Sequence, residues 1–137
     1  MPEIREKVGD RAVLRAFHFF QENERVRMLV DSLKQQKFNE FKNNVRSSGN
    51  SSFKYLQNSY SISDVNNQSI SVALAMSDLY LGTHGVSRVH GGGFAGTIQA
   101  FVEDQYVSYY KEKMEAIFGE DNCHVLKIRK SGGKKVL

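Results

Sequence analysis

The sequence predicts an α+β fold in which helices pack on an antiparallel sheet, and three observations carry that expectation. A glycine-rich bend, Gly91-Gly92-Gly93-Phe94-Ala95-Gly96, lies between two extended segments. Phe94, Ile98, Ala100 and Val102 recur at period two in and after it, and Val86, Arg88 and His90 fall on one side of the segment before it by the same period, the signature of strands rather than helix. Around this hairpin the apolar residues recur at helical spacing, above all from Gln68 to Leu81 and from Tyr106 to Phe118. Helices first, then strand, strand, helix and strand, is the order expected of an antiparallel sheet covered by helices.

In chain order, Asp10 is a candidate N-cap for a helix carrying Val13, Leu14, Phe17 and Phe20. A second apolar set, Val26, Leu29, Val30 and Leu33, lies almost opposite the first around a helix. One straight helix burying a single face does not explain both, so two segments broken near Gln21 to Asn23 are expected. Phe38, Phe41 and Val45 predict a short third helix from about Asn39 to Arg46. Ser47-Ser48-Gly49-Asn50-Ser51-Ser52 reads as a polar surface loop, with Phe53, Tyr55 and Leu56 anchoring it to the core.

The run from Gln68 to Leu81 is apolar on nearly every side, which predicts a central buried helix, stopped by Gly82. After the hairpin, Asp104 can cap a helix with Tyr106, Val107, Tyr110, Met114, Ile117 and Phe118 on one stripe, stopped by Gly119. His124, Leu126 and Ile128 alternate with Val125, Lys127 and Arg129, which predicts a last strand.

The chain has 137 residues, 40% of them hydrophobic, with nine Phe and six Tyr, enough for one core and one domain spanning 1–137. Its only proline is Pro2, so no linker marks a second domain. No apolar run approaches the roughly 20 residues of a bilayer span. A single cysteine, Cys123, makes no internal disulfide and fits a reducing, cytoplasmic location. The formal charge is +4 and gathers toward the end, at Lys127, Arg129, Lys130, Lys134 and Lys135. No aromatic follows Phe118, so that basic run reads as a solvated tail and a nucleic-acid partner is not expected.

Gly91, Gly93 and Gly96 spell G-x-G-x-x-G, but a dinucleotide site needs a helix after the motif, and a strand follows here. The protein-kinase hairpin also needs a strand lysine, a catalytic-loop aspartate and Asp-Phe-Gly, none of which is present. The RNA-binding signature that shares Gly93-Phe94-Ala95 requires aromatics where Gly96 and Ala100 stand. His18, His84, His90, His124 and Cys123 have no ligand spacing, so no metal site is expected. Glu22, Glu24 and Asp31 read mostly as solvated helix faces, and no pair of carboxylates is marked as acid and base.

Arg88-Val89-His90-Gly91-Gly92-Gly93-Phe94-Ala95-Gly96 resembles the third motif of the GHMP small-molecule kinases, the galactokinases in particular. His18-Phe19-Phe20-Gln21-Glu22-Asn23-Glu24-Arg25-Val26 resembles the stretch that opens the carboxy-terminal half of that family, so the likeness covers most of the chain. Ala95 stands where the family usually has glycine and Thr97 where cysteine is common. At position 95 a positive φ would cost alanine about 1–2 kcal/mol. Phe53-Lys54-Tyr55-Leu56-Gln57-Asn58 replaces an Asp-rich motif of many galactokinases.

The resemblance implies a ferredoxin-like carboxy-terminal domain whose amino-terminal catalytic domain is absent, because nothing here matches the sugar-binding signature or the serine-rich phosphate loop. ATP and magnesium would belong to the full-length parent, with no cofactor in this chain. The parent would make galactose 1-phosphate, and this chain alone would be inactive. Its expected partner is the amino-terminal kinase domain, with self-association through apolar surface left uncovered. Gly91, Gly92, Gly93, Phe94 and Gly96 would form a wall of the nucleotide cleft, with Arg88 and His90 facing it and no catalytic residue supplied. The alternative is a stand-alone α+β module that binds a small molecule or regulates, without kinase activity.

Overall fold

Strands β1 (Gly85–Val89) and β2 (Ile98–Val102) pair antiparallel, with Val86 opposite Phe101 and Val89 opposite Ile98. The computed structural model describes residues 1–94 and 96–128. Among those residues the sheet has only these two strands, so the architecture is α+β with a β-hairpin at its centre. The helices are α1 (Pro2–Val8), α2 (Asp10–Lys34), α3 (Phe38–Ser51), α4 (Ser69–Leu81) and α5 (Val107–Phe118). None of them is long and apolar enough to cross a membrane.

Strand alternation assigns the two faces of the hairpin to two helical layers. Ile98, Ala100 and Val102 pack with Ala73, Met76 and Leu81 of α4 and with Tyr110, Met114 and Phe118 of α5. On the other face Val86 is buried and Phe101 meets Phe41 of α3 edge-on, ring centroids 5.0 Å apart. Beyond α3 lies α2. The order of layers is therefore α2–α3, hairpin, α4–α5.

Polar contacts tie the layers where apolar contact ends. Ser77 reaches Tyr110 Oη at 2.6 Å while its hydroxyl also contacts the Ala73 carbonyl at 2.6 Å, fastening α4 to α5. Burial there pushes the Tyr110 phenol above its ordinary value, against the Ser77 hydrogen bond. At the Gly85–Val102 end of the hairpin, Lys42 of α3 donates to the Thr83 carbonyl at 2.7 Å and to Glu103 at 2.9 Å. Glu103 also meets His84 Nδ1 at 3.1 Å, and the His84 ring stacks on Tyr106.

The hairpin, the helix ending at Gly82 and the helix ending at Gly119 stand where the sequence predicts them. Five expectations are corrected. No break occurs near Gln21 to Asn23, because the buried face of α2 is polar and the apolar stripes flank it: Phe19, Phe20, Val26 and Leu33 are all exposed. The serine segment is helical to Ser51 and continues as a π turn, Ser52–Leu56, with Ser48, Ser51 and Ser52 buried rather than in a surface loop. Phe53, read as an anchor, is itself exposed.

The helix α4 is not buried all round. It sets Ile70, Ala73, Ser77 and Leu81 inward and leaves Val72 and Leu79 exposed, since only one side of it faces the hairpin. Residues 124–128 form no strand, and Val125, Leu126 and Ile128 are exposed. An alternating run makes a strand only when it pairs with another, and among the described residues β1 and β2 pair only with each other. Arg129, the rest of that predicted strand and the basic tail from Lys130 onward lie outside the described residues, as does Ala95.

Burial alone separates two leucines on α4, one 2% and one 68% exposed. We predict that Leu81→Ala lowers unfolding free energy by about 2–5 kcal/mol, and Leu79→Ala by less than about 0.5 kcal/mol. Urea denaturation of the two variants measures the difference.

Candidate functional site

The glycine bend closes the hairpin beyond its last ladder bond, where the His90 amide donates to the Thr97 carbonyl at 3.2 Å. It stands at the protein surface: Gly91, Gly92, Phe94 and Gly96 are exposed. Gly91, Gly93 and Gly96 have φ of 60°, 76° and 79°, and Phe94 joins them at 57°. A non-glycine residue in that region carries on the order of 1–3 kcal/mol of strain.

What holds the bend from beneath is Asn58, which is 2% exposed. The Phe94 amide donates to the Asn58 carbonyl at 3.0 Å, and Asn58 Nδ2 donates to the Gly92 carbonyl at 3.1 Å. The approach is so close that a Cβ on Gly93 would lie 2.7 Å from both Asn58 Cβ and Cγ, and nearer still to its carbonyl oxygen. Gly93 is therefore required by a contact within the chain itself. Gly92 is different: it has no positive φ, and a Cβ there would meet nothing within 4 Å.

The residues predicted to face the cleft separate. His90 is exposed beside the bend. Arg88 turns away from the bend toward α2 and α3. Its Nη1 donates to Glu22 Oε1 at 3.3 Å and its Nε to the Val89 carbonyl at 3.2 Å. Arg88, expected to face the cleft, is thus engaged by Glu22 in this chain. Gly49 of α3 eases the approach, since a Cβ there would sit 3.1 Å from Arg88 Cβ, a tight contact.

Around that pair lies a polar cluster that sequence reading missed. Glu22 Oε2 accepts from Arg25 Nη1 at 2.5 Å, and Glu22 Oε1 also accepts from the buried Ser48 hydroxyl. Arg25, 7% exposed, donates besides to Gln21 Oε1 at 2.8 Å and Ser47 Oγ at 3.2 Å. His18 Nδ1 meets Ser51 Oγ at 3.0 Å. Glu22 is thus a paired, half-buried carboxylate, where the sequence reading made it a solvated one. The spacing of His18, Glu22, Arg25 and Ser32 on one helix face was the available signal.

Burial raises the Glu22 pKa, but the Ser48 and Arg25 hydrogen bonds and the attraction of Arg88 outweigh it and hold the carboxyl below its ordinary value. Burial pushes the His18 imidazole below its ordinary value. Glu22 pulls the other way, while Arg25 and Arg88 add to the depression. Chemically the cluster is a saturated structural network: each Glu22 oxygen is engaged, and Arg25 is satisfied on three sides. The bend, with its open face, is the candidate site.

Among the described residues no three His, Cys, Asp or Glu side chains gather in a group that could hold a metal ion. Two surface depressions lie elsewhere, one between α2 and α3 and one lined by Asn50, Phe53, Lys54, Gln57 and Tyr60. No family model, curated protein or solved structure matches the chain.

Both depressed groups stabilise the fold above their ordinary pKa values and lose that contribution on acidification. We predict that stability falls as pH drops below about 6.5 through the lowered His18 pKa. A second loss follows below about 4.3 as Glu22 takes up its proton. Urea midpoints measured against pH should show both limbs, and His18→Gln should remove only the upper one. At neutral pH, Glu22→Gln leaves Arg25 and Arg88 without a counter-charge, which should cost about 3 kcal/mol in the same assay.

Proposed function

We propose that this chain is the carboxy-terminal portion of a galactokinase of the GHMP family, in which the bend Gly91–Gly96 closes one wall of the active-site cleft. The parent enzyme would transfer the γ-phosphoryl group of ATP to the anomeric hydroxyl of galactose with magnesium. Catalysis of that kind rests on positioning and on electrostatic stabilisation of the transferring group. An amino-terminal domain would bring the phosphate loop, the sugar-binding residues and the catalytic groups. This chain contributes a glycine-rich wall on which Phe94 is exposed, and whose backbone amides can face anionic oxygen.

The observation that carries the reading is Gly92. Neither a positive φ nor a neighbour in its own fold calls for glycine there. A bare position on an exposed bend is what close approach by another chain or ligand demands. The exposed apolar residues of α2, Phe19, Phe20, Val26 and Leu33, support the reading, because apolar surface rarely stays uncovered unless a partner covers it. They lie in and just beyond the segment His18–Val26 that carries the second part of the resemblance.

Gly93 is a poor test position, because its glycine is already demanded by Asn58. Gly92→Val is the informative change. We expect the purified chain alone to phosphorylate no galactose. Joined in frame to a galactokinase amino-terminal half, it should support ATP-dependent turnover. In that enzyme Gly92→Val should lower turnover by on the order of 100-fold or more with the melting temperature unchanged. Turnover by the chain alone, or a fully active Gly92→Val enzyme, would refute the proposal.

A further inference from the structure

The bend is held from below at a cost that packing alone does not explain. Asn58 follows a π turn and a residue, Gln57, with φ of 52°, and the bend above it holds Phe94 at φ 57°. Two non-glycine residues in the left-handed region thus flank one contact. Single π turns and positive-φ residues concentrate where a chain aims a group for function. Beneath the same contact, Asn58 Oδ1 and Ser59 Oγ are buried without a hydrogen-bond partner among the described residues. Native structures rarely leave such atoms unmatched, and each instance calls for a specific reason.

We infer that Asn58 is the positioning residue of the glycine bend. It fixes the open face of Gly92 by gripping the carbonyl on one side and the Phe94 amide on the other. It acts through the bend rather than by touching a ligand, since it is sealed from solvent by the bend itself. The inference deepens the proposed function, on which its purpose rests, but the grip is a property of this chain and is tested on it.

The chemistry of the unmatched atoms adds a direction. An amide oxygen only accepts, so Asn58 Oδ1 repels an anion and takes a neutral donor such as a buried water or a hydroxyl. The open space at the bend is at Gly91, Gly92 and Gly96, where a Cβ would meet nothing within 4 Å. Asn58 orients the bend from within the chain.

Amide hydrogen exchange on the intact chain tests this, with Asn58→Ala and the near-isosteric Asn58→Asp, both of which remove the donor to Gly92. Exchange at Phe94 and at the bend glycines should accelerate on the order of tenfold in both variants. The Val86 and Val89 amides in the hairpin should stay within twofold. If bend exchange is unchanged, or if Val86 and Val89 accelerate equally, Asn58 only fills space and the inference fails. Should Asn58→Ala lose its fold, Asn58→Asp decides. The readout needs neither nucleotide nor sugar, so it separates failure of this inference from failure of the kinase reading.

Discussion

A single carboxylate joins three parts of this molecule. Glu22 on α2 accepts from Arg25 of its own helix, from Ser48 on α3 and from Arg88 on β1. Two guanidinium groups around one half-buried carboxylate are tolerable only because every Glu22 oxygen and most Arg25 donors find partners. That requirement fixes much else. The inner face of α2 is polar, α3 runs as helix through its serines, and Arg88 lies close against Gly49. The apolar side chains of α2 are displaced to the flanks as a result.

The hairpin then has two unlike faces and two unlike ends. One face meets the apolar layer of α4 and α5, the other the mixed layer of α2 and α3. At one end Lys42, Glu103, His84 and Tyr106 tie the strands to α3 and to the turn before α5. At the other end the glycine bend projects with Asn58 beneath it. The proposed role uses only this second end, and the rest of the fold serves to present it.

Legibility in the sequence followed the kind of interaction involved. The hairpin was readable because period-two alternation and four glycines are local signals, and the helix stops at Gly82 and Gly119 were readable for the same reason. The helical serines were not. Loop composition at Ser47–Ser52 argues against a helix, yet Val45, Ser48 and Ser52 share one face, and burial on that face overrides propensity. The course of α2 was misjudged because its apolar residues were taken for the buried ones, whereas His18, Glu22, Arg25 and Ser32 form the inner stripe. The glycine bend was legible as a candidate site from its composition, whereas the pairing of Arg88 with Glu22 was not, because strand parity cannot say which face meets a carboxylate. Asn58 left no local trace, since its partners lie more than thirty residues away.

Lys42 and Glu22 clamp the ribbon of two strands near its root and along one flank, and past His90 nothing in the described chain grips it except Asn58. Mechanically it is a cantilever with one prop near its tip. The compliance of such a beam is governed by the prop more than by the stiffness of the strands. Whatever docks on the tip therefore meets a surface whose give is set by two hydrogen bonds, and small changes at that one support alter how firmly the whole overhang pushes back.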